Sequence, residues 1–135
     1  MSINQQPAAQ VWQWKLKKFI AHRSDQFFEE AVNMAEKATS LTPAQISKLQ
    51  MIAYSASKFS DLLDYIKLQT GRRKEWREKE FGKSLLQVAV ELGGEADKAI
   101  QDCNVPAEFA ESEKIRTKII LAREYIKHIV AHYHY

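Results

Sequence analysis

The chain has 135 residues, 45% hydrophobic and 27% charged, with a net charge of +3. These are ordinary globular values, and the length suits one domain with its own core. The single Cys103 excludes an internal disulfide, and neither a membrane-length apolar run nor a secretory h-region is present. The chain is therefore expected to be cytoplasmic and to stay out of the membrane.

Four glycines and three prolines are too few for many turns, which favours a few long helices over strands. Residues 1–7 read as a flexible leader closed by Pro7. From Ala8, Trp12, Leu16, Phe19 and Ile20 recur at helical spacing. This first segment carries Lys15, Lys17, Lys18 and Arg23 and no acid, with Trp12 and Trp14 beside them. Ser24-Asp25 offers an N-cap, and Phe28, Ala31, Val32, Ala35 and Ala38 give a narrow apolar stripe behind it. The two stretches can equally be one bent helix.

Thr42-Pro43-Ala44-Gln45 is a capping box with proline at the first helical position. Leu49, Ile52, Ala56, Phe59, Leu63 and Ile66 then alternate in steps of three and four, the seam of a helix lying nearly parallel to its neighbours. Gly71 is read as the stop of that helix. The run Arg72 to Leu92 forms the next, with Phe81, Leu85, Val88 and Leu92 on its core face. Gly93-Gly94 is a stop signal, residues 95–103 form a short acidic helix, and Pro106 breaks the chain again. A last helix runs from Ala107, with Ile115, Ile119, Ala122, Ile126, Ile129 and Tyr133 as its stripe. The expected architecture is all-α: a compact bundle of about five helices forming a single domain over residues 1–135.

Charge is unevenly placed. Between Lys67 and Lys83 there are seven Lys/Arg and three Glu, a net of +4 in a chain of +3, whereas residues 84–110 carry five acids and one Lys. Such asymmetry points to a polyanion partner. On one continuous helix, Arg72, Trp76, Lys79 and Lys83 fall opposite the core stripe, Arg73 and Arg77 form an adjacent row, and Lys67 precedes the turn. A tryptophan among cations can stack a base. Arg116, Arg123 and Lys127 share a flank of the last helix.

Catalytic and metal-binding constellations are missing from the same chain. Glu124, His128 and His132 are four apart, but the His-Glu-x-x-His spacing is absent and no second helix offers a matching pair. Walker A, Gly-rich dinucleotide, Gly-x-Ser-x-Gly and Cys-x-x-Cys motifs are absent too. The reading is a non-enzymatic protein with no metal or cofactor.

Three stretches resemble the small α-helical subunits of type III CRISPR effector complexes: Leu41-Thr42-Pro43-Ala44-Gln45-Ile46-Ser47-Lys48, the helix Tyr65 to Arg72 ending in Gly-Arg, and Arg123 to Tyr135, ending Ile-Val-Ala-His-Tyr-His-Tyr. His132 stands where that family usually has an aromatic residue. The Trp-rich amino-terminal segment and the Arg-Lys-Glu-Trp stretch after Gly71 also depart from its pattern. The resemblance implies a non-catalytic subunit, stacked in several copies beside other effector-complex subunits. Its basic surfaces would run along guide and target RNA, with base pairing supplying specificity.

The residues leave other readings open. One is a helical protein–protein adaptor or regulator without nucleic acid, using Leu86, Val90 and the aromatic tail Tyr133-His134-Tyr135 as contact surfaces. Another is a DNA-binding regulator built around Gly71, and a third is a metal-dependent enzyme. Salt-dependent RNA binding separates the first reading from the adaptor.

Overall fold

The computed structural model describes residues 7–135, with side chains from Val11 onward, so the expected leader lies outside the described residues except for Pro7. The fold is an all-α bundle, and no strand occurs among the described residues. Five long helices, α1 (Pro7–Lys37), α2 (Pro43–Ser55), α3 (Phe59–Arg72), α5 (Phe81–Asp102) and α6 (Ala107–His134), are joined by one short turn of helix, α4 (Lys74–Arg77).

The amino-terminal segment is one uninterrupted helix, so Ser24-Asp25 starts nothing new. Its second-half core face is Phe27, Ala31, Met34, Ala35 and Ala38. Phe28 is instead 60% exposed, and Val32 is exposed too. The three alanines are common to both registers, and Phe27, one helical turn before Ala31, decides between them. Its ring meets Tyr125 edge-on at 5.3 Å.

The Thr42 capping box forms as expected. Gln45 N donates to Thr42 Oγ1 at 3.1 Å, and Thr42 N donates to the Gln45 side-chain oxygen at 2.9 Å. The expected continuous seam is broken, however. Ala56 and Lys58 take extended backbone conformations between α2 and α3. α2 buries Ile46, Leu49 and Ala53, and α3 buries Leu62 and Ile66.

Gly71 lies in the last turn of α3 rather than beyond it. No single helix covers Arg72 to Leu92: the chain is extended at Arg73, turns once through α4, and reaches α5 through two consecutive left-handed residues, Lys79 (φ 51°) and Glu80 (φ 58°). Left-handed backbone costs a side-chain-bearing residue about 1–2 kcal/mol. What offsets it is Trp76, fully buried on α4 between Tyr65 and Phe81.

Gly93-Gly94 does not stop α5, and the expected separate helix over 95–103 is its continuation. Neither glycine has positive φ, and the stripe Leu92, Ala96, Ala99, Ile100 carries on through them. A Cβ added at Gly93 would lie 3.1 Å from the Phe59 ring, which would have to give by a few tenths of an ångström. The true stop is Asn104 (φ 57°). Asn104 N donates to Gln101 O at 3.0 Å and Val105 N to Ile100 O at 3.2 Å, the paired bonds of a Schellman cap. Because nothing lies within 4 Å of a Cβ added at Gly94, Gly94→Ala is expected to stabilise the protein by about 0.5–1 kcal/mol. A rise in the urea midpoint checks it; a fall would mean that the helix does end there.

α1 packs along α6, α5 packs against α3 and α6, and α2 packs against α6. One main core draws on all six α-helices. A smaller cluster, Trp12, Leu16, Ala99, Ile100 and Cys103, joins the start of α1 to the end of α5. On α6, Ile119, Ala122, Ile126 and Ile129 are buried as expected, but Ile115 is 44% exposed. Among the described residues, no helix is long and apolar enough to cross a membrane.

Candidate nucleic-acid interface

The cations singled out in the sequence divide into two groups. Lys67 on α3, Arg72 at its end, Arg73 in the extended link and Lys83 in the first turn of α5 are all exposed, and so is Lys74 at the start of α4, which the sequence pattern did not single out. Among the described residues, none of these five side chains has an ion-pair or hydrogen-bond partner. They cluster in sequence around the α3–α4–α5 junction, where α3 packs on both α4 and α5.

The second group has structural partners. Arg77 donates from Nη1 to the carbonyls of Thr70 and Gly71, both at 3.1 Å, and so caps the carboxyl end of α3. Lys79 Nζ donates to Thr39 Oγ1 at 2.9 Å, tying the left-handed corner to the α1–α2 loop. Arg123 reaches from α6 to the last turn of α2, donating to Ala53 O at 3.1 Å and Tyr54 O at 3.3 Å, with its guanidinium over the Tyr54 ring. Arg116 pairs with Glu113 at 3.3 Å, and Lys127 with Glu124 at 3.6 Å.

Trp76 requires a correction. The expected solvent-side stripe Arg72, Trp76, Lys79, Lys83 presupposed one helix. The break at Lys79 and Glu80 turns the indole inward, where its exposure is 0%. Its ring centroid lies 6.0 Å from that of Tyr65 and 5.2 Å from that of Phe81, so its faces are taken by protein. The exposed tryptophan is Trp14, at 60%.

The acid-free start of α1 also loses one free cation. Arg23 donates to Glu30 on its own helix and to Glu95 on α5 at 2.6 Å, which holds its pKa above the ordinary arginine value. Lys15, Lys17 and Lys18 stay exposed.

At the carboxyl end, the imidazoles serve packing. The His132 ring nitrogen Nε2 lies 2.7 Å from Phe28 O, and since a carbonyl only accepts, that nitrogen carries the proton. The Phe28 ring packs on both His128 and His132. Burial, with Lys127 nearby, pushes the His128 pKa below its ordinary value. Among the described residues, no three His, Cys, Asp or Glu side chains are grouped to hold a metal. Of the expected contact surfaces, Val90 is 55% exposed and Leu86 half-buried, while Tyr133 is tied inward by its hydroxyl to Leu41 O at 2.8 Å.

No family model, curated protein or solved structure matches the chain.

Proposed function

We propose that this protein is a non-catalytic, RNA-binding helical subunit of the type III CRISPR effector kind, acting in the cytoplasm. It would lie along guide and target RNA beside other subunits and further copies of itself. The observation that carries the reading is the unpartnered cation group Lys67, Arg72, Arg73, Lys74 and Lys83 at one junction. Other cations in this chain find carbonyls, carboxylates or hydroxyls, as Arg77, Arg23 and Lys79 do. Five neighbouring ones that do not are suited to phosphates, which position a protein on RNA without reading its sequence. The sequence resemblance supplies the setting. The exposed Val90 favours the adaptor as the competing reading.

The test is RNA affinity at two salt concentrations, for the free subunit or within its co-purified complex, using the triple variant Lys67→Glu, Arg72→Glu, Arg73→Glu. Arg77 is left alone because its reversal would uncap α3. Affinity should drop similarly for unrelated RNA sequences. The slope of log K against log salt should become shallower by about 0.7–0.9 for each phosphate that is no longer neutralised. The melting temperature should hold, because these side chains are exposed and make no hydrogen bond or ion pair among the described residues. A variant that folds normally yet keeps wild-type affinity and slope would make this face merely solvated and the adaptor the better reading.

A further inference from the structure

A second place combines cations with an aromatic ring, and it uses none of the residues of the α3–α5 junction. Near the start of α1, a partly open cleft of about 480 Å³ is lined by Trp12, Trp14, Leu16, Lys17, Glu113 and Arg116. Its volume falls in the range of about 300–1,000 Å³ typical of small-ligand pockets. Trp12 and Leu16 belong to the smaller core cluster, and Trp12 stacks on Phe109 at 5.7 Å, so one wall is fixed by packing. Trp14 is not consumed by packing: 60% of it faces solvent, the most exposed of the three tryptophans.

The electrostatics lean one way. Residues 1–24 contain no acid. Lys17 has no ion-pair or hydrogen-bond partner among the described residues, and Lys18 Nζ lies over the Trp14 ring, 4.7 Å from its centroid. Arg116 is paired with Glu113 in the same cleft, yet its side chain remains 58% exposed. An exposed indole beside surplus cations matches a ligand that is flat and apolar on one part and anionic on another. Nucleotides have that build: every base presents a π-face to stack, and each carries a phosphate. An acidic peptide would satisfy the cations and leave the indole without a planar partner.

We infer that this cleft binds an unpaired nucleotide of a single-stranded nucleic acid, its base stacked on Trp14 and its phosphate held by Lys17 and Arg116. The site stands apart from the phosphate-tracking face around Arg72 and Arg73, and either can fail without the other. Stacking needs a base freed from a duplex, so this cleft takes single strands.

The experiment titrates the full chain with an eight-residue oligouridylate and follows tryptophan emission alongside anisotropy of the labelled oligonucleotide. Trp12 and Trp76 are 6% and 0% exposed, so quenching by a bound base reports on Trp14. Saturable quenching is expected. Trp14→Ala should abolish it and weaken binding between about fivefold and about a hundredfold, the range of one base–aromatic stack. Trp14→Phe should recover most of the affinity, because a smaller ring still stacks. Lys17→Gln should flatten the salt dependence while keeping the quenching. Polyglutamate of matched charge is expected to show no dependence on Trp14. Wild-type affinity in Trp14→Ala would overturn the site, and so would polyglutamate binding with the same Trp14 dependence, which would mark an acidic-protein contact. The triple variant of the α3–α5 junction separates the two proposals. It should retain the oligouridylate quenching even where it loses duplex RNA, and loss of quenching in that variant would also overturn a separate site.

Discussion

Trp76→Ala should lower the unfolding free energy by about 3–5 kcal/mol, the range for deleting a fully buried large aromatic. In a domain whose whole stability is about 5–15 kcal/mol, that is enough to unfold a large share of the molecules on modest heating. The indole has 0% exposure and packs against Tyr65 and Phe81, so its removal opens a cavity where α3, α4 and α5 meet. The same burial helps to stabilise the turn through Lys79 and Glu80, whose left-handed backbone is otherwise tied down by the Lys79–Thr39 hydrogen bond. Trp76→Phe should cost much less. It keeps an aromatic ring in the site and removes the indole Nε1, a buried donor with no hydrogen-bond partner in the structure. Urea denaturation of both variants checks the order. Nucleic-acid affinity of the folded fraction should be unchanged in each. A Trp76→Ala protein with wild-type stability and weakened RNA binding would put the ring on the surface after all.

What could be read along the chain was what local chemistry decides. The Thr42–Gln45 capping box needs only residues three apart, and it forms. The α5 positions Phe81, Leu85 and Leu92 are buried because helical spacing alone puts them on one face. The break between α2 and α3 could not be read this way: the group receiving the freed carbonyls of Ala53 and Tyr54 is Arg123, 70 and 69 positions away. Gly93-Gly94 misled because a glycine stops a helix through positive φ, and here an asparagine adopts it ten residues later.

The cations show the same division between local and distant information. Sequence reports that Arg77, Lys79 and Arg123 are charged, but not that each ends on a backbone carbonyl or a threonine hydroxyl. Lys67, Arg72 and Arg73 look no different in the sequence, yet they are left without partners. Trp14 and Trp76 were equally ambiguous as aromatics among cations. The extended Arg73 and the two left-handed residues after Arg77 turn the Trp76 indole inward, and nothing in Lys79-Glu80 as a residue pair announces that conformation.

Gly82→Ala is the second substitution with a large expected effect, and it tests how closely α3 and α5 approach. A Cβ at position 82 would lie 1.9 Å from Thr70 Oγ1 and 2.8 Å from Thr70 Cβ. The hydroxyl can rotate away only by giving up its 2.7 Å hydrogen bond to Ile66 O. The Cβ–Cβ approach cannot be relieved by rotation at all, so the helices must separate. Helix propensity alone would make alanine the better residue by about 1 kcal/mol. Overpacking at a fixed backbone contact typically costs about 1–3 kcal/mol, and a net loss near the upper end is expected here because both backbones are already packed. In the double variant Gly82→Ala, Thr70→Ala, the hydroxyl clash disappears and the Cβ–Cβ clash remains. The destabilisation should therefore shrink without vanishing, giving a coupling of about 1 kcal/mol in the double-mutant cycle. Thr70→Ala alone should be mild. If Gly82→Ala matched or exceeded wild-type stability, α3 and α5 would have room between them. The α3–α5 packing beneath the exposed Lys67, Arg72 and Lys83 would then be looser than the proposed phosphate-binding face requires.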